Sequence, residues 1–99
     1  MTTNAIIINP IEVPSGREEE ALAIWDQYAA YFRQQPGYIS TKLHRALDPN
    51  AKFTYVNIAE WESMDTFMTA LNSEEIKSIG DGFPQEMPHF PAPYEIVRT

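Results

Sequence analysis

The chain has 99 residues, no cysteine, and a formal net charge of −7 from seven basic and fourteen acidic side chains. This length allows one domain, which we predict to span residues 1–99 around a single modest core. The acidic balance argues against nucleic-acid binding, and the lack of cysteine excludes disulfides and thiolate catalysis. The first residues carry neither a basic region nor a long apolar run. We therefore expect a cytoplasmic protein without a targeting segment or membrane contact.

The chain begins with a β-rich run over residues 5–13. Pro10 lies inside this run, and because proline cannot donate to a ladder, we expect the strand at an edge or at a bulge. Ser15 and Glu18 then have the spacing of a capping box, which predicts that a helix begins here and ends near residue 35.

The apolar residues of this first helix recur with a period of about 3.6 residues, as in an amphipathic helix. They include Tyr28, with Tyr31 at the flank of the stripe. A second strand is predicted over residues 38–47, and residues 48–51 are typical of a hairpin turn.

The third predicted strand, residues 53–61, carries the most functional information. Alternation places five side chains on one face, namely Phe53, Tyr55, Asn57, Ala59 and Trp61. An amide and an indole N–H thus share one side of a largely aromatic surface. Such a surface suits a pocket that holds a flat organic molecule and hydrogen-bonds one of its oxygens. The opposite face, with Val56 and Ile58, is also mostly apolar, so we expect both faces to be covered.

The remaining elements are shorter. Ser63 is a candidate N-cap for a helix over residues 64–71, and a second short helix is predicted over residues 73–80. Residues 81–92 have no periodic signal and contain three prolines. A loop this long in a small domain is usually functional or wraps the surface. A last strand is predicted over residues 94–98.

The order of elements is β-α-β-β-α-β, which is the ferredoxin-like motif of the α+β class. Such a domain packs its helices on one face of a four-stranded antiparallel sheet and leaves the other face bare. Because an exposed apolar sheet promotes aggregation, we expect a second subunit to cover it in a homodimer.

With these elements assigned, the chain resembles the antibiotic biosynthesis monooxygenase family, whose members form dimeric α/β-barrels. The resemblance covers nearly the whole chain. Its segments are Ile8-Asn9-Pro10, Gln35-Pro36-Gly37-Tyr38, and residues 57–63 followed by Phe67. In a polyketide-oxidising branch, a strand asparagine and a tryptophan four positions later contact the substrate, and the resemblance carries these roles to Asn57 and Trp61. Phe67, which has no hydroxyl, replaces a tyrosine of that branch.

A haem-degrading branch of the family uses a strand-1 asparagine, the same tryptophan and a helical histidine. Asn9 and Trp61 correspond to the first two, but the histidine position falls near Gly80. The two histidines of this chain, His44 and His89, lie elsewhere. The comparison with this branch therefore disfavours haem, because an axial ligand is not placed.

We predict a cofactor-independent monooxygenase that oxidises an aromatic or phenolic, polyketide-like molecule with dioxygen. A deprotonated phenol or enol can itself pass an electron to dioxygen, so the protein needs only a dry cavity and donors for the substrate oxygen. The predicted catalytic residues are Asn57 and Trp61. The predicted substrate-binding residues are Tyr28, Tyr31, Tyr55, Phe67 and His44, of which His44 is the best candidate base because Glu60 should point to the opposite face.

Two other functions stay open at this point. The same cavity can hold a hydrophobic metabolite without reaction, or the scaffold can carry an isomerase, a dehydratase or a haem-linked enzyme. The candidate residues also have structural interpretations. Trp61 can anchor the core where strand 3 meets the next helix, His44 can be an exposed strand residue, and His89 can be a plain loop residue.

Overall fold

The computed structural model describes residues 3–80 and 84–99. The elements are β1 (Ala5–Ile11), α1 (Glu18–Phe32), β2 (Tyr38–Arg45), β3 (Tyr55–Trp61), α2 (Met64–Leu71), α3 (Glu74–Gly80) and β4 (Ala92–Tyr94). Within the described residues the strands form one four-stranded antiparallel sheet in the order β2-β3-β1-β4. The ferredoxin-like α+β fold expected from the order of elements is therefore confirmed.

Strand β1 lies in the interior of the sheet and its register with β3 is unbroken through Pro10, so the expectation of an edge position or a bulge at Pro10 is wrong. β1 pairs with β3 along its whole length but with β4 only from Ile6 to Ile8. Beyond β4, the Phe90 N–H donates to the Pro10 carbonyl at 3.1 Å. The backbone N and O of Pro10 therefore face away from β3, toward the β4 side of the sheet. The N–H that proline lacks is not needed there, because the regular pairing of β1 with β4 has already ended.

Helix α1 begins without the predicted capping box. Its N-cap is Arg17, which makes no side-chain cap hydrogen bond. Ser15 is exposed, and the Glu18 carboxylate accepts a hydrogen bond from the Gly16 N–H at 3.0 Å. The box fails because Gly16 turns the chain with φ +91°, so the helix starts two residues later than a Ser15 cap requires.

The C-terminal half confirms the predicted helices but not the predicted strand. Ser63 caps α2, and its Oγ accepts the Thr66 N–H at 3.2 Å. β4 covers Ala92–Tyr94 instead of residues 94–98. In the predicted 81–92 loop, residues 81–83 lie outside the described part of the chain. The rest packs on the domain, because Met87 is fully buried and the Pro88 carbonyl accepts the Glu12 N–H at 2.9 Å.

The helices cover one face of the sheet, as the alternation of β3 predicts. Tyr55, Ala59 and Trp61 are buried on this side, whereas Ile58 on the other face is 37% exposed. The buried residues form two clusters. The first is Ala5, Ile7, Tyr31, Ala59, Trp61, Phe67, Ala70 and Ile76, and the second is Ile11, Ala21, Tyr55 and Met87. Among the described residues, no helix is long and apolar enough to cross a bilayer.

Candidate active site

A cavity of about 330 Å³ lies between the helix-covered face of the sheet and the helices. Most of its wall is apolar, with contributions from Ile7, Phe32, Phe67, Leu71 and Ile76. A small number of polar side chains also reach the wall, namely Asn9, Trp25, Tyr28, Tyr38, Thr41, Asn57, Lys77 and His89. An apolar cavity with a few convergent polar groups is the usual form of a small-molecule site.

Asn57 holds a defined orientation at this wall. Its Oδ1 accepts two hydrogen bonds, from Trp25 Nε1 at 3.1 Å and from Thr41 Oγ1 at 3.0 Å. Because an indole N–H can only donate, the amide atom that it meets must be the oxygen. The Nδ2 group has no hydrogen-bond partner within residues 3–80 and 84–99. The carboxamide thus has two N–H donors left for a ligand.

The two donors to Asn57 come from different elements. Thr41 on β2 lies opposite Ala59, which places it diagonally across from Asn57 on the same face of the sheet. Trp25 projects from α1 onto this face and is half-buried, with the Arg33 guanidinium 5.9 Å from its ring centroid. The orientation of the amide therefore depends on how α1 and β2 pack against β3.

Trp61 contributes to both the core and the cavity wall. It is only 1% exposed. Its ring meets Phe32 and Tyr38 edge-on, at centroid distances of 5.5 and 5.7 Å, and it lies 5.5 Å from Phe67 at a tilt of 59°. Edge-to-face pairs of this kind add to the stabilisation from buried area alone. Both interpretations of Trp61, as a core anchor and as a cavity residue, describe its position.

The structure brings four of the seven predicted site residues to the cavity and leaves three elsewhere. Asn57, Trp61, Tyr28 and Phe67 lie on its wall. Tyr31 is buried, but its hydroxyl donates to the Ala70 carbonyl at 2.8 Å and so joins α1 to the end of α2. Tyr55 shares a face with Asn57 yet belongs to the second cluster, together with Met87. Tyr31 and Tyr55 thus contribute to the packing of the domain and do not line the cavity.

His44 lies on the wrong face of the sheet for the predicted role. The register pairs it with Val56, and its Nδ1 is 3.2 Å from the Val56 carbonyl oxygen. Its neighbour Leu43 pairs with Asn57 instead. Because successive strand residues alternate between faces, the residue before His44 faces the helices and His44 faces away. The structure therefore places His44 away from the wall of this cavity, where the predicted substrate contact would need it.

Several wall residues were not among the substrate contacts predicted from the sequence, although Asn9 entered the comparison with the haem-degrading branch. Asn9 pairs directly with Asn57 across β1 and β3, and its Oδ1 is shielded from solvent without a hydrogen-bond partner in the described structure. A polar residue at a helix-facing position of an isoleucine-rich strand was the available signal. Lys77 from α3 and His89 from the proline-rich segment carried no such signal. Within the described residues, no group of three or more acidic or histidine side chains could hold a metal ion.

Comparison with known proteins gives consistent results. Residues 5–81 match the family model described as antibiotic biosynthesis monooxygenase. The crystal structure of a candidate monooxygenase from Shewanella loihica has a TM-score of 0.87 and 32% identity, covering 100% of this chain and 99% of that one. The structure of SnoaB, a cofactor-independent oxygenase from Streptomyces nogalater, has a TM-score of 0.84 and 23% identity, covering 99% and 97%.

A more distant structure is that of a heme-degrading protein from Mycobacterium tuberculosis. It has a TM-score of 0.70 and 21% identity, covering 100% of this chain and 97% of that one. At this level of identity the likeness shows the fold alone, as it does for SnoaB. No curated protein matches the sequence.

Proposed function

Because the chain belongs to the antibiotic biosynthesis monooxygenase family, we propose that it is a monooxygenase. Its substrate is an aromatic molecule with a phenolic or enolic oxygen, of polyketide-like size, and its oxidant is dioxygen. A prosthetic group is not required. The observation that carries the proposal is the Asn57 carboxamide, whose N–H donors lie at an apolar cavity and have no partner among the residues that the structure describes.

The reaction can be written without an external reductant. Removal of a proton from a carbon conjugated to the phenol or enol gives a delocalised anion. The anion passes one electron to dioxygen, the resulting carbon radical and superoxide combine and take up a proton, and the hydroperoxide loses water. A ring methylene and dioxygen are thereby converted into a carbonyl and one water molecule. The substrate supplies all the electrons.

The protein acts on the negative charge that develops on the substrate oxygen. The Nδ2 donors of Asn57 would bind this oxygen, and the indole N–H of Trp61 is proposed as a second donor. A single donor placed in this way is worth about 3 kcal/mol at the transition state. The apolar wall, which includes Ile7 and Phe67, keeps the site dry and strengthens these interactions.

A base is also needed, and His89 is our proposal. Of the two histidines in the chain, His89 lies on the cavity wall and His44 on the opposite face of the sheet. Imidazole is the side chain that enzymes use most often for proton transfer. The described part of the proline-rich segment holds His89 beside β1, because residues Ile11 and His89 form a β-bridge.

We further propose that a second copy of the chain covers the outer face of the sheet. Ile6, Ile8, Val56 and Ile58 are adjacent on this face and are half-buried or exposed. The C-terminal residues Ile96 and Val97, 70% and 75% exposed, lie beyond β4, the strand that pairs with β1. A two-fold pairing of such faces would remove both surfaces from water.

The proposed function is tested by oxygen uptake on a panel of anthrone-like and hydroquinone substrates, with product spectra recorded. Asn57→Ala and Trp61→Phe should each lower kcat/KM by about tenfold or more, with the circular dichroism spectrum unchanged. His89→Ala should act in the same direction, and His44→Ala is its matched control on the far face. Unchanged turnover in both Asn57→Ala and Trp61→Phe would remove the site assignment.

Two results would replace the proposal by another function. Tight binding of these aromatics without oxygen uptake would identify a ligand-binding protein that uses the same cavity. Stoichiometric haem binding, seen as a Soret shift, would instead favour a haem-linked enzyme.

A further inference from the structure

We propose that Trp25 and Thr41 lock the Asn57 carboxamide as a donor-only group, so that the cavity selects substrates in their phenolate or enolate form over the neutral form. This inference rests on the proposed function and specifies the charge state that the site recognises. Trp25 and Thr41 are positioning residues in this proposal, because they act through Asn57.

The lock follows from the chemistry of the two donors. An asparagine amide can in general present either its oxygen or its nitrogen to a ligand by rotation of its terminal torsion. Here, rotation would bring Nδ2 to within about 3 Å of Trp25 Nε1. The hydroxyl of Thr41 can reverse its role and accept, but an indole N–H cannot. The flipped amide would therefore lose the hydrogen bond to Trp25 and place two N–H groups against each other.

A donor-only group discriminates between the protonation states of a ligand. A phenolate or enolate oxygen offers lone pairs alone and matches the Asn57 N–H groups, whereas a neutral hydroxyl also brings a proton that Asn57 cannot accept. Hydrogen bonds to a charged oxygen are roughly twice as strong as neutral ones. They are strengthened further where the surroundings have a low dielectric constant. The cavity should therefore lower the pKa of a bound phenol.

Other chargeable groups also face the cavity and must be separated from this effect. Among the described residues they are Tyr28 on α1, Tyr38 on β2, Lys77 on α3 and His89 beside β1. β1, β3 and α2 contribute only apolar residues, amides and Trp61 to the wall. A protonated Lys77 or His89 would favour an anion as well, but through charge and not through the orientation of Asn57.

The test uses 2-hydroxyanthraquinone, a phenol that is already oxidised and whose anion absorbs at longer wavelength. Titration by absorbance, with the protein in excess, gives the pKa of the bound probe. In the wild-type protein this pKa should be lower than in water by about one unit, a tenfold preference for the anion. Thr41→Val, which removes the hydroxyl with little change of shape, and Trp25→Phe should each reverse much of this shift.

Matched variants separate the lock from general disruption. Thr41→Ser keeps the hydroxyl and should keep the shift. Thr54→Val removes a hydroxyl just before β3 that donates to the Val13 carbonyl at 3.3 Å, outside the cavity wall, and should also keep the shift. Asn57→Asp still accepts from both donors but presents an oxygen in place of Nδ2. It should raise the pKa of the bound probe above its value in water.

Several outcomes would overturn the inference. They are a probe that does not bind, a bound pKa equal to that in water, and a shift that Thr41→Val and Trp25→Phe leave unchanged. A shift that disappears in Lys77→Gln alone would assign the selectivity to that charge. Oxygen uptake is measured separately. A lowered probe pKa without turnover would refute the proposed oxygenase activity and leave the orienting role of Trp25 and Thr41 intact. Turnover together with a probe pKa that does not depend on Thr41 and Trp25 would refute that orienting role and leave the oxygenase activity intact.

Discussion

Replacement of Gly37 by alanine should destabilise the protein for two separate reasons. Its φ is +88°, a conformation that costs an L-residue with a side chain about 1–2 kcal/mol. A Cβ at this position would also collide with the side chain of Thr66 in the first turn of α2. Gly16 has nearly the same φ, +91°, but nothing lies within 4 Å of the position that its Cβ would take. The two glycines are therefore a matched pair.

The expected magnitudes differ because only one site is crowded. In both variants the less flexible unfolded chain returns about 0.4–1 kcal/mol. Gly16→Ala should therefore cost about 1 kcal/mol. Gly37→Ala adds an overpacking cost of about 1–3 kcal/mol, for a total of about 2–4 kcal/mol. Thr66 cannot move freely, because its N–H and Oγ1 are hydrogen-bonded to Ser63 at 3.2 and 3.0 Å.

The assay is urea unfolding followed by tryptophan fluorescence, at one fixed protein concentration because association would add to the apparent stability. Thr66→Gly, which removes the colliding atoms, should recover part of the loss when it is combined with Gly37→Ala, giving a favourable coupling in the double-mutant cycle. Equal losses in Gly16→Ala and Gly37→Ala, or a double mutant that is merely additive, would refute the reasoning. The packing of Thr66 would then not limit this turn.

Three further changes test other parts of the structure. Asn9→Leu removes a shielded amide oxygen that has no partner among the described residues, so the free energy of unfolding should rise by about 1–3 kcal/mol in thermal unfolding. Aromatic ligands should bind more weakly to this variant. A loss of stability would show that the Asn9 amide is hydrogen-bonded in the native protein. Tyr31→Phe deletes the hydrogen bond to the Ala70 carbonyl and should lower the free energy of unfolding by about 1–2 kcal/mol without changing ligand affinity. A change in ligand affinity would instead place the Tyr31 hydroxyl at the binding site. Ile58→Asp should convert a dimer into monomers in analytical ultracentrifugation, whereas Leu47→Asp, at a side chain that is 96% exposed in the hairpin, should not. A dimer that survives Ile58→Asp would exclude this face as the interface.

Local patterns predicted the elements well where a single interaction decides the outcome. Ser63 caps α2 through a hydrogen bond within one turn, and the alternation of β3 depends only on backbone geometry. The predictions made from Pro10 and Ser15 were wrong because the structure at each residue depends on its neighbours. Pro10 is tolerated inside the sheet because the pairing of β1 with β4 ends at Ile8, and Ser15 does not cap α1 because Gly16 turns the chain.

In the candidate site, too, local patterns predicted some residues, whereas contacts between elements decided the others. Asn57 and Trp61 could be placed on one helix-facing side from the sequence, since their spacing is even. The residues that orient Asn57 could not, because Trp25 and Thr41 are 32 and 16 positions away and meet it only through packing and register. Register also decided the position of His44. A shift by one residue along β2 would have exchanged its face with that of Leu43.

The sequence by itself determined the order of the elements, the ferredoxin-like topology and the face on which the Asn57 amide lies, because these follow from periodicities of two and about 3.6 residues. The tertiary structure alone decided which end of that amide is offered to a ligand. It also brought Lys77 and His89 to the cavity and kept Tyr31, Tyr55 and His44 away from it. The physical reason is that hydrogen-bond orientation and strand register are set by contacts between elements, which no local pattern contains.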